Sequence, residues 1–332
     1  MRPKPFLRVI LILAVSLLAL RIDETVVHVP ANWPKPSRAL NQLRPDEIAL
    51  GRLLFYDPIL SRDSSISCAS CHSPFNAFAH SDHALSHGIY DSIGFRNAPS
   101  LQLLAWQTTF MWDGAFSSLE QQVLFPIQHP GEMDLDTTEM VSRLNNQERY
   151  RKYAQGGQDS GKFTAMRVQQ SIASFLLTII SSDTRYDSVK RGEAVFTLQE
   201  RNGEALFTKN CASCHPPPLF STFGFARNGL PLHETLRDYG RIRITKNPAD
   251  SMCFKIPTLR NVEYSSPYMH DGRFQSLSQV VNHYARGVRL PLGKDSIRIT
   301  LDARERTDLV AFLLTLSDRK FLTRPDLANP VY

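Results

Sequence analysis

The sequence predicts an all-α protein built from two similar domains that are related by internal duplication. The pentapeptide Cys-Ala-Ser-Cys-His occurs twice, at residues 68–72 and 211–215. Residues 98–123 also align without gaps to residues 256–281, with identity at ten of 26 positions. Helical spacing of apolar residues recurs along the chain, whereas the alternating pattern of a strand forms no run of any length.

Four helices can be placed from apolar spacing and capping residues. Residues 45–47 (Pro-Asp-Glu) open the first helix, and its acidic residues suit the positive end of the helix dipole. Residues 165–180 carry apolar side chains on one helical face. Residues 200–207 form a helix that leads into the second pentapeptide. The last helix begins near Asp302, where Glu305 completes a capping box.

The N-terminal residues have the composition of an export segment. Basic residues precede a twelve-residue apolar run, a length that suits a signal peptide and is short for a membrane span. We therefore expect residues 1–21 to be a signal peptide or an N-terminal anchor. The formal charge of +6 includes four cations of this segment, so the remainder carries only +2. This charge predicts no nucleic-acid partner.

Each pentapeptide has the C-x-x-C-H pattern of covalent c-type haem attachment. Two thiols separated by two residues reach the same edge of one porphyrin, and the adjacent histidine binds iron. Two copies that both end in histidine favour a dihaem protein over zinc, redox or disulfide motifs. The predicted haem-attachment residues are Cys68, Cys71, Cys211 and Cys214, and the predicted proximal iron ligands are His72 and His215.

These features predict the organisation of the chain. Residues 22–42 are proline-rich and form an extended lead-in. Residues 43–190 form an N-terminal haem domain, and residues 191–332 form a C-terminal haem domain. Each is expected to be a small helical cytochrome c domain whose core is the haem itself.

From about residue 47 to residue 316, the sequence resembles the bacterial dihaem cytochrome c peroxidase family, which includes the MauG-like enzymes that mature tryptophylquinone. The resemblance rests on linked motifs: both CASCH segments, residues 96–99 (RNAP), 112–114 (WDG), Pro126 with 129–133 (HPGEM), 257–261 (PTLRN) and 267–272 (PYMHDG). It implies that the N-terminal haem reacts with peroxide and that the C-terminal haem receives electrons.

The resemblance also implies roles for individual residues. Trp112 corresponds to the tryptophan between the two haems, and Gln122 and Glu132 correspond to the distal pair of the peroxide pocket, with Pro126 in the pocket wall. A carboxylate can take a proton from one peroxide oxygen and return it to the other, so Glu132 is the candidate general acid and base. A calcium site between the domains is implied by three residues, Asn97 and the backbone oxygens near Ser265 and Pro267.

The sequence departs from the family beside the N-terminal haem. Many members carry a distal histidine there, and the corresponding residue of this chain is Ile89, which cannot bind iron. His80, His83 and His87 are nearby and remain alternative ligands. We expect this haem to keep an open position in the oxidised protein.

The sixth ligand of the C-terminal haem is the second open question. Tyr284 lies at the family position that is methionine in most peroxidases and tyrosine in MauG-like members. Met269 is the rival, although its counterpart in the repeat, Met111, lies where no methionine ligand is expected. His283 is the third candidate. Tyr284 is the predicted ligand.

The leading functional hypothesis is a periplasmic enzyme that reduces hydrogen peroxide with electrons from a small cytochrome or cupredoxin. The alternatives are a MauG-like enzyme that oxidises a side chain of a partner protein, and a dihaem electron carrier. A carrier needs no distal acid, so Glu132 and Gln122 favour an enzyme. A homodimer is the candidate assembly.

Overall fold

The computed structural model describes residues 27–155, 161–292 and 295–331, and it is rich in helices. The α-helices of these residues are α1 Pro45–Tyr56, α2 Cys68–Cys71, α3 Leu119–Gln128, α4 Thr137–Asn146, α5 Glu148–Gln155, α6 Ala165–Leu176, α7 Arg185–Lys190, α8 Leu198–Asn210, α9 Ile242–Thr245, α10 Leu277–Ala285 and α11 Ala303–Leu314. None of the helices in the described ranges is long and apolar enough to cross a membrane. The predicted signal peptide or anchor lies outside the described residues.

Two small antiparallel sheets accompany the helices and were not predicted from the sequence. β1 Phe225–Arg227 pairs with β2 Cys253–Lys255, and β3 Arg286–Leu292 pairs with β4 Asp295–Thr300. Strands of three residues are too short to show an alternating pattern, which is why β1 and β2 escaped the prediction.

The predicted helices are present, with one difference in length. The first begins at Pro45, α8 contains residues 200–207, and α11 begins after Asp302 with the capping box to Glu305. The helix from Ala165 ends at Leu176 instead of residue 180. The Thr178 hydroxyl donates a 2.7 Å hydrogen bond to the Phe175 carbonyl, so a turn replaces the last helical hydrogen bonds.

Each half contains a closely packed pair of helices. A side chain at Gly51 of α1 would place its Cβ 1.8 Å from the Ser171 carbonyl oxygen of α6, and one at Gly203 of α8 would lie 2.0 Å from the Asp308 oxygen of α11. Because α1 and α8 each lead toward a CASCH segment, this packing fixes where the two segments lie.

Apolar side chains form two clusters. One is built around Phe55, Phe78 and Phe175, and the other around Phe220 and Phe312. The C-terminal segment returns to the first cluster: Phe321 packs on Phe78 with ring centroids 6.0 Å apart, and residues 327 and 328 accept hydrogen bonds from side chains of α1. This segment ties the end of the chain to the first half.

The aligned segments 98–123 and 256–281 have the same local geometry. Phe110 bridges to Phe116, and Tyr268 bridges to Phe274 at equivalent positions. Positive φ angles recur at equivalent sites, as at Leu103 (59°) and Asn261 (56°). A serine caps the following helix in each copy. The copies also touch, because the Asn261 amide donates a 2.6 Å hydrogen bond to the Gln102 side chain.

Candidate dihaem active site

One continuous cavity of about 900 Å³ joins the two CASCH segments. His72 and the thiols of Cys68 and Cys71 line one part, and His215, Cys211 and Cys214 line another. Most of the remaining lining is aliphatic or aromatic. The cavity therefore brings together the attachment residues that the sequence predicted in two separate places.

The two motif histidines are held in the same way. The Nδ1 atom of His72 lies 3.0 Å from the Phe78 carbonyl oxygen, and the Nδ1 atom of His215 lies 3.0 Å from the Phe220 carbonyl oxygen. A carbonyl only accepts, so each Nδ1 carries the proton and each Nε2 is left as a lone-pair donor. Burial lowers the pKa of both histidines to about 4, which keeps them neutral and suited to iron.

The four motif cysteines are free thiols rather than disulfides, and they are partly buried. Burial raises the pKa of Cys68 and Cys211 to about 12. Ser67 and Ser70 form a capping box around α2, which fixes the first pair of thiols. Paired thiols, a neutral imidazole beside each pair and an apolar cavity fit two haem groups.

Glu132 and Gln122 both line the cavity, together with Pro126 inside α3. Burial raises the pKa of Glu132, whereas the neighbouring His129 acts to lower it. Burial and, to a smaller extent, the charge of Glu132 raise the pKa of Cys71 to about 11. The Glu132 carboxyl therefore lies beside the first motif. The Gln122 amide donates to the Met111 sulfur at 3.7 Å. Both residues of the predicted distal pair thus line the same cavity.

The loop after the first motif packs directly against the backbone of Glu132. The Ile89 N–H donates a 2.7 Å hydrogen bond to the Glu132 carbonyl oxygen, and the Ile89 side chain is fully buried. His87 lines the cavity, and its Nδ1 lies 2.6 Å from an Asp91 carboxylate oxygen.

The other two loop histidines form a stack with His87. Ring centroids lie 5.8 Å apart for His80 and His83 and 4.3 Å apart for His83 and His87. His80 is buried, and its Nε2 has no hydrogen-bond partner among the described residues. Of these three histidines, His87 lines the cavity, whereas His80 lies close enough to His72 to lower its pKa.

Trp112 lies where the two halves meet. Its indole N–H donates a 2.8 Å hydrogen bond to the Asn97 carbonyl oxygen, and its own carbonyl oxygen accepts a 2.7 Å hydrogen bond from the Lys255 N–H. His270, which aligns with Trp112 in the repeat, accepts from the Asn97 N–H at 2.7 Å through its carbonyl. Both equivalent residues line the cavity and meet at Asn97.

A buried ionic network holds the same junction. Arg96 contacts Asp113 at 2.7 Å and Asp238 at 2.6 Å, so one guanidinium links the two halves. His270 stacks on Phe254 with ring centroids 3.7 Å apart, and burial lowers its pKa to about 4. The alignment pairs His270 with Trp112, but sequence reasoning assigned it no role.

Tyr284 and Met269 both line the cavity on the side of the second motif. Burial raises the pKa of Tyr284, and the nearby Cys211 and Cys214 raise it further, which places its hydroxyl close to that thiol pair. The Met269 sulfur accepts a 3.6 Å hydrogen bond from the Asn228 amide.

The third candidate ligand of the second haem has another partner. His283 Nε2 lies 2.8 Å from the Asn228 carbonyl oxygen. A nitrogen that donates to a carbonyl has no lone pair left for iron. Tyr284 and Met269 line the cavity and His283 does not, so the geometry favours Tyr284 and Met269.

Asn97, Ser265 and Pro267 line the same cavity. The Asn97 side-chain amide donates a 3.2 Å hydrogen bond to the Ala84 carbonyl oxygen, and the Asn97 backbone oxygen accepts a hydrogen bond from the Trp112 indole. Among the described residues, no group of three or more histidine, cysteine, aspartate or glutamate side chains could hold a metal ion. The predicted calcium ligands are amide and backbone oxygens, which such groups do not include.

The arrangement defines a helix-rich protein in which one cavity joins two candidate haem sites. A family model described as di-haem cytochrome c peroxidase matches residues 45–195. The chain is 35% identical over 313 residues to the methylamine utilization protein MauG of Methylorubrum extorquens, covering 90% of this chain and 85% of that protein. It is 30% identical to the cytochrome c551 peroxidase of Nitrosomonas europaea, over 96% of this chain and 94% of that protein.

Solved structures show the same fold. The structure of a MauG-like protein associated with microbial copper homeostasis superposes with a TM-score of 0.80 at 28% identity, covering 92% of this chain and 99% of that one. The dihaem peroxidase BthA of Burkholderia thailandensis superposes with a TM-score of 0.75 at 23% identity, over 86% of this chain and 90% of that one. The chain belongs to the di-haem cytochrome c peroxidase family, which makes it an oxidoreductase with two haem groups.

Proposed function

We propose that this protein is an exported dihaem c-type peroxidase that converts H2O2, two electrons and two protons into two water molecules. The observation that carries the proposal is the shared cavity, which joins both motif histidines and holds the carboxyl of Glu132 beside only the first motif. A simple electron carrier has no use for such a carboxyl.

Covalent attachment of both haems through Cys68, Cys71, Cys211 and Cys214 is part of this proposal. It is supported by the motif geometry and by the Nε2 atoms that His72 and His215 leave free. Haem iron, when bound, supplies the redox chemistry and the open position at which peroxide is cleaved. Attachment by thioethers and the export-like segment at residues 1–21 favour a periplasmic location.

The all-α, two-domain organisation by internal duplication also stays a proposal. The equivalent bridges, φ angles and helix caps of the two aligned segments support it. Residues 43–190 and 191–332 are the proposed domains.

Glu132 is the proposed general acid and base. Its carboxylate would take the proton from one peroxide oxygen and return it to the departing oxygen. The Gln122 amide, held against the Met111 sulfur, orients the peroxide by hydrogen bonding. Burial raises the pKa of Glu132, so its carboxylate takes up the peroxide proton more readily than an exposed carboxylate does.

Electrons are proposed to enter at the C-terminal haem from a small cytochrome or cupredoxin and to pass by way of Trp112. The indole lies at the junction of the two halves and lines the shared cavity. A calcium ion held by Asn97 and by the backbone oxygens near Ser265 and Pro267 would stabilise this junction, since all three residues line the cavity there.

The test compares the haem-loaded protein with Glu132→Gln by rapid mixing with H2O2. Acid–base groups contribute roughly 10²–10⁴-fold, so we expect a loss of that order with both haems retained. Glu234→Gln makes the same charge change at an exposed position and should react normally. Intact mass should show two added haems. A normal rate in Glu132→Gln would contradict the role of Glu132, and fewer than two haems would contradict the dihaem assignment.

A second candidate function is favoured by the burial of Tyr284 beside Cys211 and Cys214. An anionic phenolate ligand would stabilise ferric iron, lower the potential and favour the storage of oxidising equivalents over rapid reduction by a cytochrome. This property suits a MauG-like enzyme that oxidises a side chain of a partner protein. Peroxide consumption that requires a protein substrate, and not a reduced cytochrome, would select this function.

A further inference from the structure

Lys255 is a half-buried cation where the two halves of the chain meet. It is the last residue of β2 and lines the cavity, and its backbone N–H donates a 2.7 Å hydrogen bond to the Trp112 carbonyl oxygen. Its ammonium group donates to the Thr109 carbonyl oxygen at 2.7 Å and to the Thr109 hydroxyl oxygen at 2.8 Å. One lysine of the second half thus holds both ends of the first-half segment from Thr109 to Trp112.

The charge of Lys255 is bound by neutral oxygen atoms. In the part of the chain that the structure describes, its ammonium group forms no ion pair, and its hydrogen bonds go to Thr109. The Phe225 ring centroid lies 4.8 Å from the Lys255 Nζ and 3.8 Å from the Arg241 guanidinium carbon. Burial and then Arg241 lower the pKa of Lys255 to about 8, while Asp113 acts in the opposite direction. The side chain therefore remains largely a cation at neutral pH.

The internal duplication relates Lys255 to Asn97. These two residues directly precede the two aligned segments of the repeat. The Asn97 N–H donates to the His270 carbonyl oxygen at 2.7 Å, and the Lys255 N–H donates to the carbonyl oxygen of Trp112, which aligns with His270. Each half therefore reaches across the junction and binds the other half at the same position.

The side-chain contacts at the junction correspond as well. Thr109, whose carbonyl oxygen binds the Lys255 ammonium group, aligns with Pro267. Asn97 and the backbone oxygens near Pro267 are the groups proposed to hold a calcium ion. An ammonium group and a calcium ion both bind carbonyl oxygens. The Lys255 ammonium group therefore has, in one copy, the position that corresponds to the proposed calcium ion of the other copy.

We propose that the Lys255 ammonium group is a built-in cation that positions the segment around Trp112, in the role that the proposed calcium ion has for the equivalent segment around His270. A cation tethered to the chain cannot dissociate, so residues 107–114 keep their place without metal, whereas residues 265–272 depend on calcium. Lys255 is a positioning residue, because it acts on the proposed electron path through Trp112. The proposal rests on the proposed function only in its consequence for electron transfer.

The experiment measures how firmly each of the two segments is held. Hydrogen exchange of the haem-loaded protein, followed by mass spectrometry of its peptides, reports the local opening of residues 107–114 and 265–272. Two variants separate the charge of the side chain from its bulk. Lys255→Met keeps an unbranched side chain without the charge, and Lys255→Arg keeps a cation that can donate to the Thr109 oxygens. Each protein is measured with calcium and after its removal with EGTA.

Hydrogen bonds from a charged donor stabilise more than neutral ones, so Lys255→Met should speed exchange of residues 107–114 by roughly 10- to 100-fold. Lys255→Arg should restore slow exchange. EGTA should speed exchange of residues 265–272 in the wild-type protein and leave residues 107–114 unchanged. Lys246→Met is the matched control, since the exposed Lys246 also donates a 2.7 Å hydrogen bond to a backbone carbonyl oxygen, that of Arg243, and lies outside the cavity.

The second readout is electron transfer between the haems. The reduced protein is mixed with H2O2, and the oxidation of each haem is followed by its absorbance. In Lys255→Met, oxidation of the second haem should become slower while oxidation of the first stays normal, and Lys255→Arg should restore the wild-type rate. Trp112→Phe tests the path separately. Normal transfer in that variant would contradict the path through Trp112, while hydrogen exchange would still decide the role of Lys255.

Three outcomes would overturn the proposal. The first is unchanged exchange of residues 107–114 in Lys255→Met. The second is exchange in Lys255→Arg that is as fast as in Lys255→Met, because the shape of lysine rather than its charge would then hold the segment. The third is an equal response of residues 107–114 and 265–272 to EGTA in the wild-type protein, since a tethered cation in one copy and a bound ion in the other must make the two segments differ.

Discussion

The contact between Gly88 and the turn of Glu132 offers a steric test of the peroxide site. An alanine Cβ at this position would lie 2.0 Å from the Gly131 carbonyl oxygen and 2.7 Å from the Glu132 Cα. The φ angle of Gly88 is −100°, so alanine meets no backbone strain of its own. Gly88→Ala therefore acts by pushing the Glu132 turn away from the loop.

The size of the displacement follows from the contact. A Cβ needs about 3 Å or more from a carbonyl oxygen, so the turn or the loop must move by roughly 1 Å. A displacement of 1 Å in a reacting group costs about 10²-fold in rate, and overpacking costs about 1–3 kcal/mol in stability. Rapid mixing with H2O2 measures the rate, and urea denaturation measures the stability.

Gly203→Ala is the matched control for Gly88→Ala. Its Cβ would also lie 2.0 Å from a backbone carbonyl oxygen, that of Asp308, but in the packing of α8 on α11. We expect a similar loss of stability with a normal rate in the folded protein. A normal peroxide rate in Gly88→Ala, or an equal loss of rate in Gly203→Ala, would refute the local steric explanation.

Three further results are expected. Tyr284→Phe should change the low-spin spectrum and raise the potential of the second haem in a redox titration, because it removes an anionic ligand. Met269→Leu should change neither the spectrum nor the potential. Loss of low-spin ligation in the Met269 variant alone would contradict this assignment. The oxidised protein should show a high-spin ferric signal from the first haem that is the same in His87→Ala; a low-spin signal that becomes high-spin in the variant would identify His87 as a ligand. Arg260→Leu should lower the free energy of unfolding by about 3–5 kcal/mol, because Asp187, which lies 2.8 Å from the buried guanidinium, would lose its ion-pair partner. Urea denaturation would measure this free energy, and a loss below about 1 kcal/mol would contradict the prediction.

Local signals allowed much of the helical structure to be predicted. The proline and acids at residues 45–47 and the capping box at Asp302 mark helix starts through interactions within one turn, and both starts are confirmed. The predicted end at residue 180 was wrong: the helix ends at Leu176, and the Thr178 hydroxyl bonds back to the preceding turn. The return of residues 321–328 to α1 depends on contacts across the whole chain, which no local pattern contains.

Part of the candidate site could likewise be predicted from the sequence, and part needed the fold. The resemblance to the family singled out Glu132, Gln122 and Trp112, and all three line one cavity in the structure. The choice among loop histidines needed the fold, since only the path of the loop brings His87 to the cavity.

The equivalent positions of the two halves indicate how one scaffold serves two tasks. The proximal sides are alike, because each histidine donates through Nδ1 to a carbonyl oxygen 3.0 Å away. The differences lie on the other side of the cavity. Gln122 aligns with Val280, so at this position only the first half has the amide that is proposed to orient peroxide. The second half instead buries Tyr284 beside its thiol pair. Since the two motif histidines are held alike, the proposed division of labour between a peroxide-reacting haem and an electron-receiving haem must come from these differing residues.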